Sequence, residues 1–274
     1  MRITTLVENV STKANLGSEH GLSLWIETNT KTILFDSGAT TLFEENAHAL
    51  GVDLSLADVA VLSHGHWDHS GGMGRFFEVN ERAPLYVKQG ALGSFYSQRD
   101  EATLIYAGLD DALKNNDRVI VRSGVTPLGE GITLFDDVQG RAFIPPGNQS
   151  LYIETEDGLE VDPFDHEHYL SIEEDSERVL ISGCSHKGIV NIVEQYKELW
   201  GAYPTIVIGG FHLMGVNPHE QDGFTLLKEI AEHLLATKAH YYTGHCTGER
   251  SYQQLKEYMG EFLEYLPTGR VLEI

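Results

Sequence analysis

The chain has 274 residues, of which 41% are hydrophobic, and this is enough for one large α/β domain over residues 1–274. Its formal net charge of −22 disfavours nucleic acid as a partner, because phosphate binding depends on clustered Lys and Arg, so we expect a small-molecule substrate. No stretch approaches the roughly 20 apolar residues of a membrane span, and the N-terminal residues lack the apolar core of a secretory signal, so we expect a cytoplasmic protein without a membrane partner.

The first half of the chain predicts mainly strands, with short helices between them. Period-two alternation and short apolar runs predict strands at residues 2–10, 22–28, 32–36, 59–62 and 85–88. Helical spacing predicts helices at residues 41–50, which Gly51 ends, and at 72–79. Residues 91–117 carry scattered aromatic and leucine side chains and predict a helical insertion.

The second half changes from strands alone to alternating strands and helices. The predicted strands are residues 118–122, 132–135, 151–154, 168–172, 178–182, 205–208 and 240–243. The predicted helices are residues 189–200, 224–236 and 251–263. Together the two halves predict two β-rich layers flanked by helices.

A cluster of metal-binding side chains directly follows the apolar strand 59–62. It reads His64-Gly65-His66-Trp67-Asp68-His69 and is followed by Ser70-Gly71-Gly72. His64 and His66 are two residues apart in an extended segment, so both side chains project the same way. Asp68 and His69 come after the chain has begun to turn, where they can address a second ion. This pattern predicts a metal site.

Three further histidines follow strands in the second half, each in a glycine-containing segment. They are His186 in Gly183-Cys184-Ser185-His186, His212 in Gly209-Gly210-Phe211-His212, and His245 in Gly244-His245-Cys246. Because neighbouring strands end at one edge of a sheet, we expect a shared site there. His186 and His245 are predicted ligands, and His212 is either a ligand or a residue that contacts substrate or transfers a proton. The two cysteines, Cys184 and Cys246, are predicted to be reduced thiols near metal rather than a disulfide.

The cluster resembles the His-x-His-x-Asp-His motif of the metallo-β-lactamase superfamily. The resemblance implies a four-layer αββα sandwich, with one metal on His64 and His66 and another on Asp68 and His69. It also implies that Asp36, in Asp36-Ser37-Gly38, orients a ligand histidine; capping of the helix near Thr41 is the alternative.

Segments along nearly the whole chain resemble a narrower branch of that superfamily. They include Leu6-Val7-Glu8-Asn9, Gly183-Cys184-Ser185-His186 and Thr243-Gly244-His245-Cys246. The branch comprises metal-dependent hydrolases related to 7,8-dihydropterin-6-methyl-4-(β-ribofuranosyl)aminobenzene 5′-phosphate synthase. Family members often carry a bridging aspartate in a Gly-Asp, where this chain has Gly183-Cys184. Cys184 is therefore a candidate thiolate ligand. The favoured interpretation is that Cys184 only packs in the interior and that His186 is the ligand from this segment. His166 and His168 are the local candidates for the histidine that precedes this segment in the family.

The resemblance implies two divalent metal ions, with zinc favoured and iron, manganese or nickel compatible with the same ligands. It implies a hydrolase of an ester, lactone or phosphoester, in which Asp68 and His212 are catalytic and Lys187 steadies charge on the substrate. A transferase that condenses a pterin diphosphate with a ribosylated aminobenzene is the alternative, with Trp67 stacking on the ring. A non-catalytic metal-binding protein is a third hypothesis.

Overall fold

The computed structural model describes residues 1–100 and 102–274. The strands are β1 Arg2–Val7, β2 Ser23–Glu27, β3 Thr32–Phe35, β4 Val59–Leu62, β5 Leu85–Lys88, β6 Phe95–Gln98, β7 Leu104–Tyr106, β8 Val119–Arg122, β9 Thr126–Gly129, β10 Ile132–Phe135, β11 Leu151–Thr155, β12 Gly158–Val161, β13 Tyr169–Glu174, β14 Glu177–Ile181, β15 Ile206–Ile208, β16 His240–Thr243, β17 Leu263–Tyr265 and β18 Val271–Glu273. The helices are α1 Leu42–Leu50, α2 Trp67–Ser70, α3 Met73–Val79, α4 Asp111–Lys114, α5 Ile189–Trp200, α6 Gln221–Thr237 and α7 Glu249–Met259. None of the helices in the described ranges is long and apolar enough to cross a membrane.

Two seven-stranded sheets form the centre of the molecule. The first has the order β18-β1-β2-β3-β4-β5-β8, and the second has the order β17-β16-β15-β14-β13-β10-β9. Branched aliphatic side chains from both sheets pack together into one buried cluster, including Ile26 and Val61 from the first sheet and Leu170 and Ile208 from the second. Because strand side chains alternate between faces, each sheet also has a second apolar face that requires cover.

Helices cover those outer faces. On the first sheet, Phe43 of α1 and Phe76 of α3 pack into a cluster with Leu34 and Leu62. On the second sheet, residues of α5, α6 and α7 pack with Leu180 and other strand residues. The order of layers is therefore helix, sheet, sheet, helix, and the predicted αββα sandwich is confirmed.

The predicted helical insertion over residues 91–117 is wrong for most of its length. Strands β6 and β7 form a hairpin there, β6 pairs with β11, and β12 completes a separate four-stranded sheet. Only the one-turn helix α4 is helical within the span, and Glu101 lies outside the described residues. The physical reason is non-local pairing: Phe95 pairs with Ile153 on β11, a partner more than fifty residues away that local spacing does not reveal.

The topology brings several strand ends to one edge of the sandwich. Strands β3, β4 and β5 are parallel neighbours in the first sheet, and β14, β15 and β16 are parallel neighbours in the second. Parallel neighbours end at the same side of their sheet, so the segments after β4, β14, β15 and β16 lie together. The histidine-containing segments of the sequence are these four.

Candidate metal centre

Asp36 organises the first histidine segment. Its carboxylate is completely buried and accepts the Ser63 N–H at 2.7 Å through Oδ1. Its Oδ2 accepts the Ser63 hydroxyl and lies 2.7 Å from Nδ1 of His69. Helix α1 has Thr41 at its N-cap position, with no side-chain capping bond. Asp36 therefore contacts a candidate ligand histidine rather than capping that helix.

These hydrogen bonds fix which nitrogen of each ring faces the interior. Ser63 uses its single hydroxyl hydrogen on Asp36, so its Oγ accepts from Nδ1 of His64, 2.8 Å away. His69 likewise donates from Nδ1, because a carboxylate oxygen can only accept. The Nε2 atoms of both rings are left facing the cleft.

Two asparagines fix which ring nitrogen faces the interior in the histidines that follow strands of the second sheet. Asn148 donates its amide N–H to the His186 carbonyl, so its Oδ1 accepts from Nδ1 of His186 at 2.9 Å. Asn9 Oδ1 accepts the Gly21 N–H and, at 2.9 Å, Nδ1 of His245. In addition, Phe164 stacks on the His186 ring at a centroid distance of 4.0 Å and an angle of 6°. Both inner Nε2 atoms therefore carry lone pairs in fixed positions.

One group of nitrogen atoms comes from His64, His66 and His186. Their ligand atoms lie within 4.8 Å of one another, and all three side chains are buried. Nε2 of His64 is 3.1 Å from Nδ1 of His66, and Nε2 of His186 has no hydrogen-bond partner among the described residues. Nε2 of His66 also has no partner among the described residues, and buried polar nitrogens without a partner are unfavourable unless a cation binds them.

A second group comes from Asp68, His69 and His245. Oδ2 of Asp68 is 3.3 Å from Nε2 of His245 and 3.7 Å from Nε2 of His69, and the two imidazole nitrogens are 3.1 Å apart. His20 adds a fourth contact, with Nε2 3.3 Å from the same Asp68 oxygen. The group combines imidazole nitrogens with one carboxylate.

Cys184 lies between the two groups. Its Sγ is 3.2 Å from Nε2 of His69, and its ligand atom forms a set with His64 and His69 and another with His186 and His212. The sequence favours His186 over Cys184 as the metal ligand from this segment, but the fold brings both side chains to the centre. Burial raises the pKa of the Cys184 thiol, so its deprotonation requires nearby positive charge. Cys246, buried beside it, accepts the His212 N–H at 3.3 Å.

The donor set fits divalent cations. Four-coordinate zinc with bonds of about 2.0–2.1 Å separates its nitrogen ligands by about 3.3 Å, close to the 3.1 Å spacings of these imidazoles. Burial and neighbouring imidazoles hold the pKa of His64 and His186 far below the usual range and lower that of His66 to about 3. These three rings are therefore neutral at pH 7, as metal ligands must be.

In the second group, neighbouring charges outweigh the effect of burial on the pKa values. Burial acts to lower the pKa of His69, but Asp36 and Asp68 outweigh it and raise the pKa to about 9. Burial acts to raise the pKa of Asp68, yet His69, His20 and His245 outweigh it and hold that pKa well below its usual range. A cation at His69 therefore competes with a proton, and this half of the centre carries a carboxylate charge.

A cleft of about 210 Å³ opens onto both groups. Trp67 and His212 line it, as predicted for residues that contact substrate, and Nδ1 of His212 is buried without a partner among the described residues. Lys187 does not line this cleft: its Nζ pairs with Asp165 at 2.6 Å and faces a neighbouring cavity. The predicted contact of Lys187 with substrate is therefore wrong as to place, because residues after His186 turn away into α5.

His166 and His168 have other partners. Nδ1 of His166 accepts the Gly65 N–H, and its Nε2 lies 2.9 Å from Asp162. His168 donates from Nε2 to the Leu62 carbonyl at 2.8 Å. These rings hold the segment after β4 in place, and His186 occupies the third position beside His64 and His66.

Some residues of the site gave no signal in the sequence. They are His20, Ser63, Arg99 and Asn148, and Asn9 stands only in the segment Leu6-Val7-Glu8-Asn9, which resembles the branch. Asn9 contacts two histidines at once, because its Nδ2 is 3.1 Å from Nδ1 of His20 while its Oδ1 accepts from His245. An asparagine has no motif of its own, so only the fold reveals this contact.

Comparison with known proteins agrees with the fold. Residues 16–196 match the family model of the metallo-beta-lactamase superfamily, and the chain belongs to that superfamily. It is 28% identical over 297 residues to the 7,8-dihydropterin-6-methyl-4-(beta-D-ribofuranosyl)-aminobenzene-5'-phosphate synthase of Methanocaldococcus jannaschii, covering 100% of this chain and 96% of that protein. It is also 28% identical over 279 residues to an uncharacterized protein of the same organism, covering 99% and 100% of the two chains.

A solved structure is similar over the full length. The crystal structure of Tm1679, a metal-dependent hydrolase of the beta-lactamase superfamily, has a TM-score of 0.82 and 28% identity, covering 100% of this chain and 99% of that chain. The predicted superfamily and the relationship to the synthase are thereby confirmed. The fold is that of a superfamily of metal-dependent hydrolases.

Proposed function

We propose that the protein is a hydrolase in which water attacks an ester, lactone or phosphoester bond of a small substrate. The observation that carries this proposal is the convergence of two donor groups, one around His64 and one around Asp68, at the base of an open cleft. Two divalent ions would fill these groups, and nitrogen-rich ligands with a thiol favour zinc, although iron, manganese or nickel accept the same donors. Cations bound there would lower the pKa of a water molecule and polarise the bond under attack.

The chain's own residues supply orientation and proton transfer. Asp68 is an ionised acceptor to which Nε2 of His20, 3.3 Å away, can donate, so it can orient the attacking water and take up its proton. His212 lines the cleft, its Nδ1 has no partner among the described residues, and its ring can donate a proton to the leaving group. Trp67, which is 37% exposed at the rim, offers an aromatic surface to the body of the substrate.

Replacement of ligands tests the proposal. We expect His66→Ala and Asp68→Ala each to abolish turnover and to lower the metal content measured by elemental analysis. His48→Ala, which removes an exposed histidine on α1, is the matched control and should change neither property. Full activity and unchanged metal content in both ligand variants would rule out this centre.

The similarity to the synthase supports a second candidate, a transferase acting on a pterin. Incubation of the metal-loaded protein with a pterin diphosphate and the aminobenzene ribotide should then release pyrophosphate. No pyrophosphate, together with hydrolysis of esters, lactones or phosphodiesters, favours the hydrolase. Bound metal with no turnover in either assay favours a non-catalytic metal-binding protein.

A further inference from the structure

Arg99 lies on the wall of the metal cleft. It directly follows β6, and it lines the same cavity as His66, Asp68 and His186. The turn that carries it is well held, because the Arg99 N–H donates to the Thr103 carbonyl at 2.9 Å. The carboxylate of Asp100 accepts the N–H of Thr103 at 2.8 Å and that of Ala102 at 2.9 Å. The hairpin therefore presents the arginine at a defined place.

The charge of Arg99 is not neutralised within the described part of the chain. No carboxylate among those residues lies within 4.0 Å of its guanidinium, and no side-chain hydrogen bond engages it there. Among the described residues that line the cleft, Asp68 is the sole carboxylate, and it belongs to the proposed metal centre. Arg99 is exposed, so its guanidinium is accessible to a ligand that enters the cleft.

A guanidinium at this place matches one kind of ligand group. Its planar, forked donors bind phosphate and carboxylate oxygens in pairs, and this contact gains strength in a partly enclosed site. Apolar and aromatic side chains also line this cleft, with Met214 47% and Trp67 37% exposed. A ligand with an anionic end and an apolar body would match both kinds of lining.

We propose that Arg99 binds an oxyanion group, phosphate or carboxylate, of the small substrate and so determines which substrates enter the cleft. This proposal rests on the proposed function, since it places the reacting bond of the same molecule at the metal centre. It deepens that function by naming the substrate class as organic anions. Arg99 is a specificity residue that holds the non-reacting end of the substrate.

Binding of three size-matched probes to the metal-loaded protein tests this proposal by calorimetry. Phenylphosphonate and benzoate carry the two oxyanions without a bond to hydrolyse, and benzyl alcohol is the neutral reference. Arg99→Ala should weaken the preferred anion by about 10- to 100-fold, the range for hydrogen bonds to a charged group. Arg99→Lys should restore part of the affinity, and benzyl alcohol should be unaffected.

Arg122→Ala is the matched control, because it removes the same charge from an exposed position on β8 outside the cleft. It should leave all three affinities unchanged. Whether phenylphosphonate or benzoate loses more affinity in Arg99→Ala identifies the oxyanion. Equal affinities in wild type and Arg99→Ala, or no binding of either anion by the wild type, would overturn the proposal.

The outcome is separable from that of the hydrolase proposal. Arg99-dependent binding of an anion without hydrolysis of any ester, lactone or phosphoester would refute the hydrolase and leave the binding role intact. Hydrolysis of neutral and anionic esters that Arg99→Ala slows to the same extent would refute the binding role and leave the hydrolase intact.

Discussion

Single side chains outside the motif position the rings of the metal centre. Asn9 is the clearest case, because its amide contacts His245 through Oδ1 and His20 through Nδ2. His20 in turn contacts Asp68, so one asparagine orients one candidate ligand directly and another through an intermediate ring. Partners of this kind select the ring tautomer and aim the free nitrogen at the metal.

We therefore predict that Asn9→Leu, which keeps the volume and removes the hydrogen bonds to His20 and His245, weakens metal binding by about 10- to 100-fold. Competition with a chromogenic chelator measures the dissociation constant. The control is Asn115→Leu, which alters an exposed asparagine beyond α4 and away from the cleft. A dissociation constant equal to that of the wild type would show that Asn9 does not orient the ligands.

At the scale of secondary-structure elements, His168 joins the two sheets next to the candidate metal centre. It precedes β13 in the second sheet, and its Nε2 donates to the carbonyl of Leu62, the last residue of β4 in the first sheet. Its own N–H donates to the carbonyl of Ser63 at 3.0 Å, so the chain is held at the start of the histidine segment. Burial lowers the pKa of His168 to about 4.

This pKa predicts how the free energy of unfolding depends on pH. Above pH 6.5 the ring is neutral in both states, and as the pH falls the unfolded chain takes up the proton first. The folded state therefore loses about 1.4 kcal/mol per pH unit between pH 6.5 and pH 4, or about 3 kcal/mol in all. His168→Gln retains an N–H donor without this titration and should reduce the slope by about 1.4 kcal/mol per pH unit in denaturant titrations across the range, while His64, His66 and His186 keep their own contributions. His233→Gln, at an exposed position on α6, should keep it; identical slopes for wild type and His168→Gln would contradict the assignment.

At the scale of the whole molecule, the sequence predicted the features that depend on residues close together in the chain. Strand and helix periodicity predicts two β-rich layers flanked by helices, and the resemblance to the superfamily implies their αββα order. The candidate ligands His64, His66, Asp68, His69, His186 and His245 follow from their places after strands. The β6–β7 hairpin was missed because its partner β11 is distant in sequence. Arg99 was missed for the same reason: its role depends on where that hairpin packs, and nothing in its neighbours indicates a cleft.

The candidate metal centre also joins the two halves of the molecule, since His64–His69 follow a strand of the first sheet and His186 and His245 follow strands of the second. Cations bound by both sets should stabilise the sandwich, and metal in thousandfold excess over its dissociation constant contributes about 4 kcal/mol. For a chain of this size, chelation should lower the thermal midpoint by on the order of 10 °C in calorimetry. In Asp68→Ala the loaded and stripped forms should melt much closer together. A midpoint that chelation leaves unchanged in the wild type would mean that the converging histidines hold no metal in the folded protein.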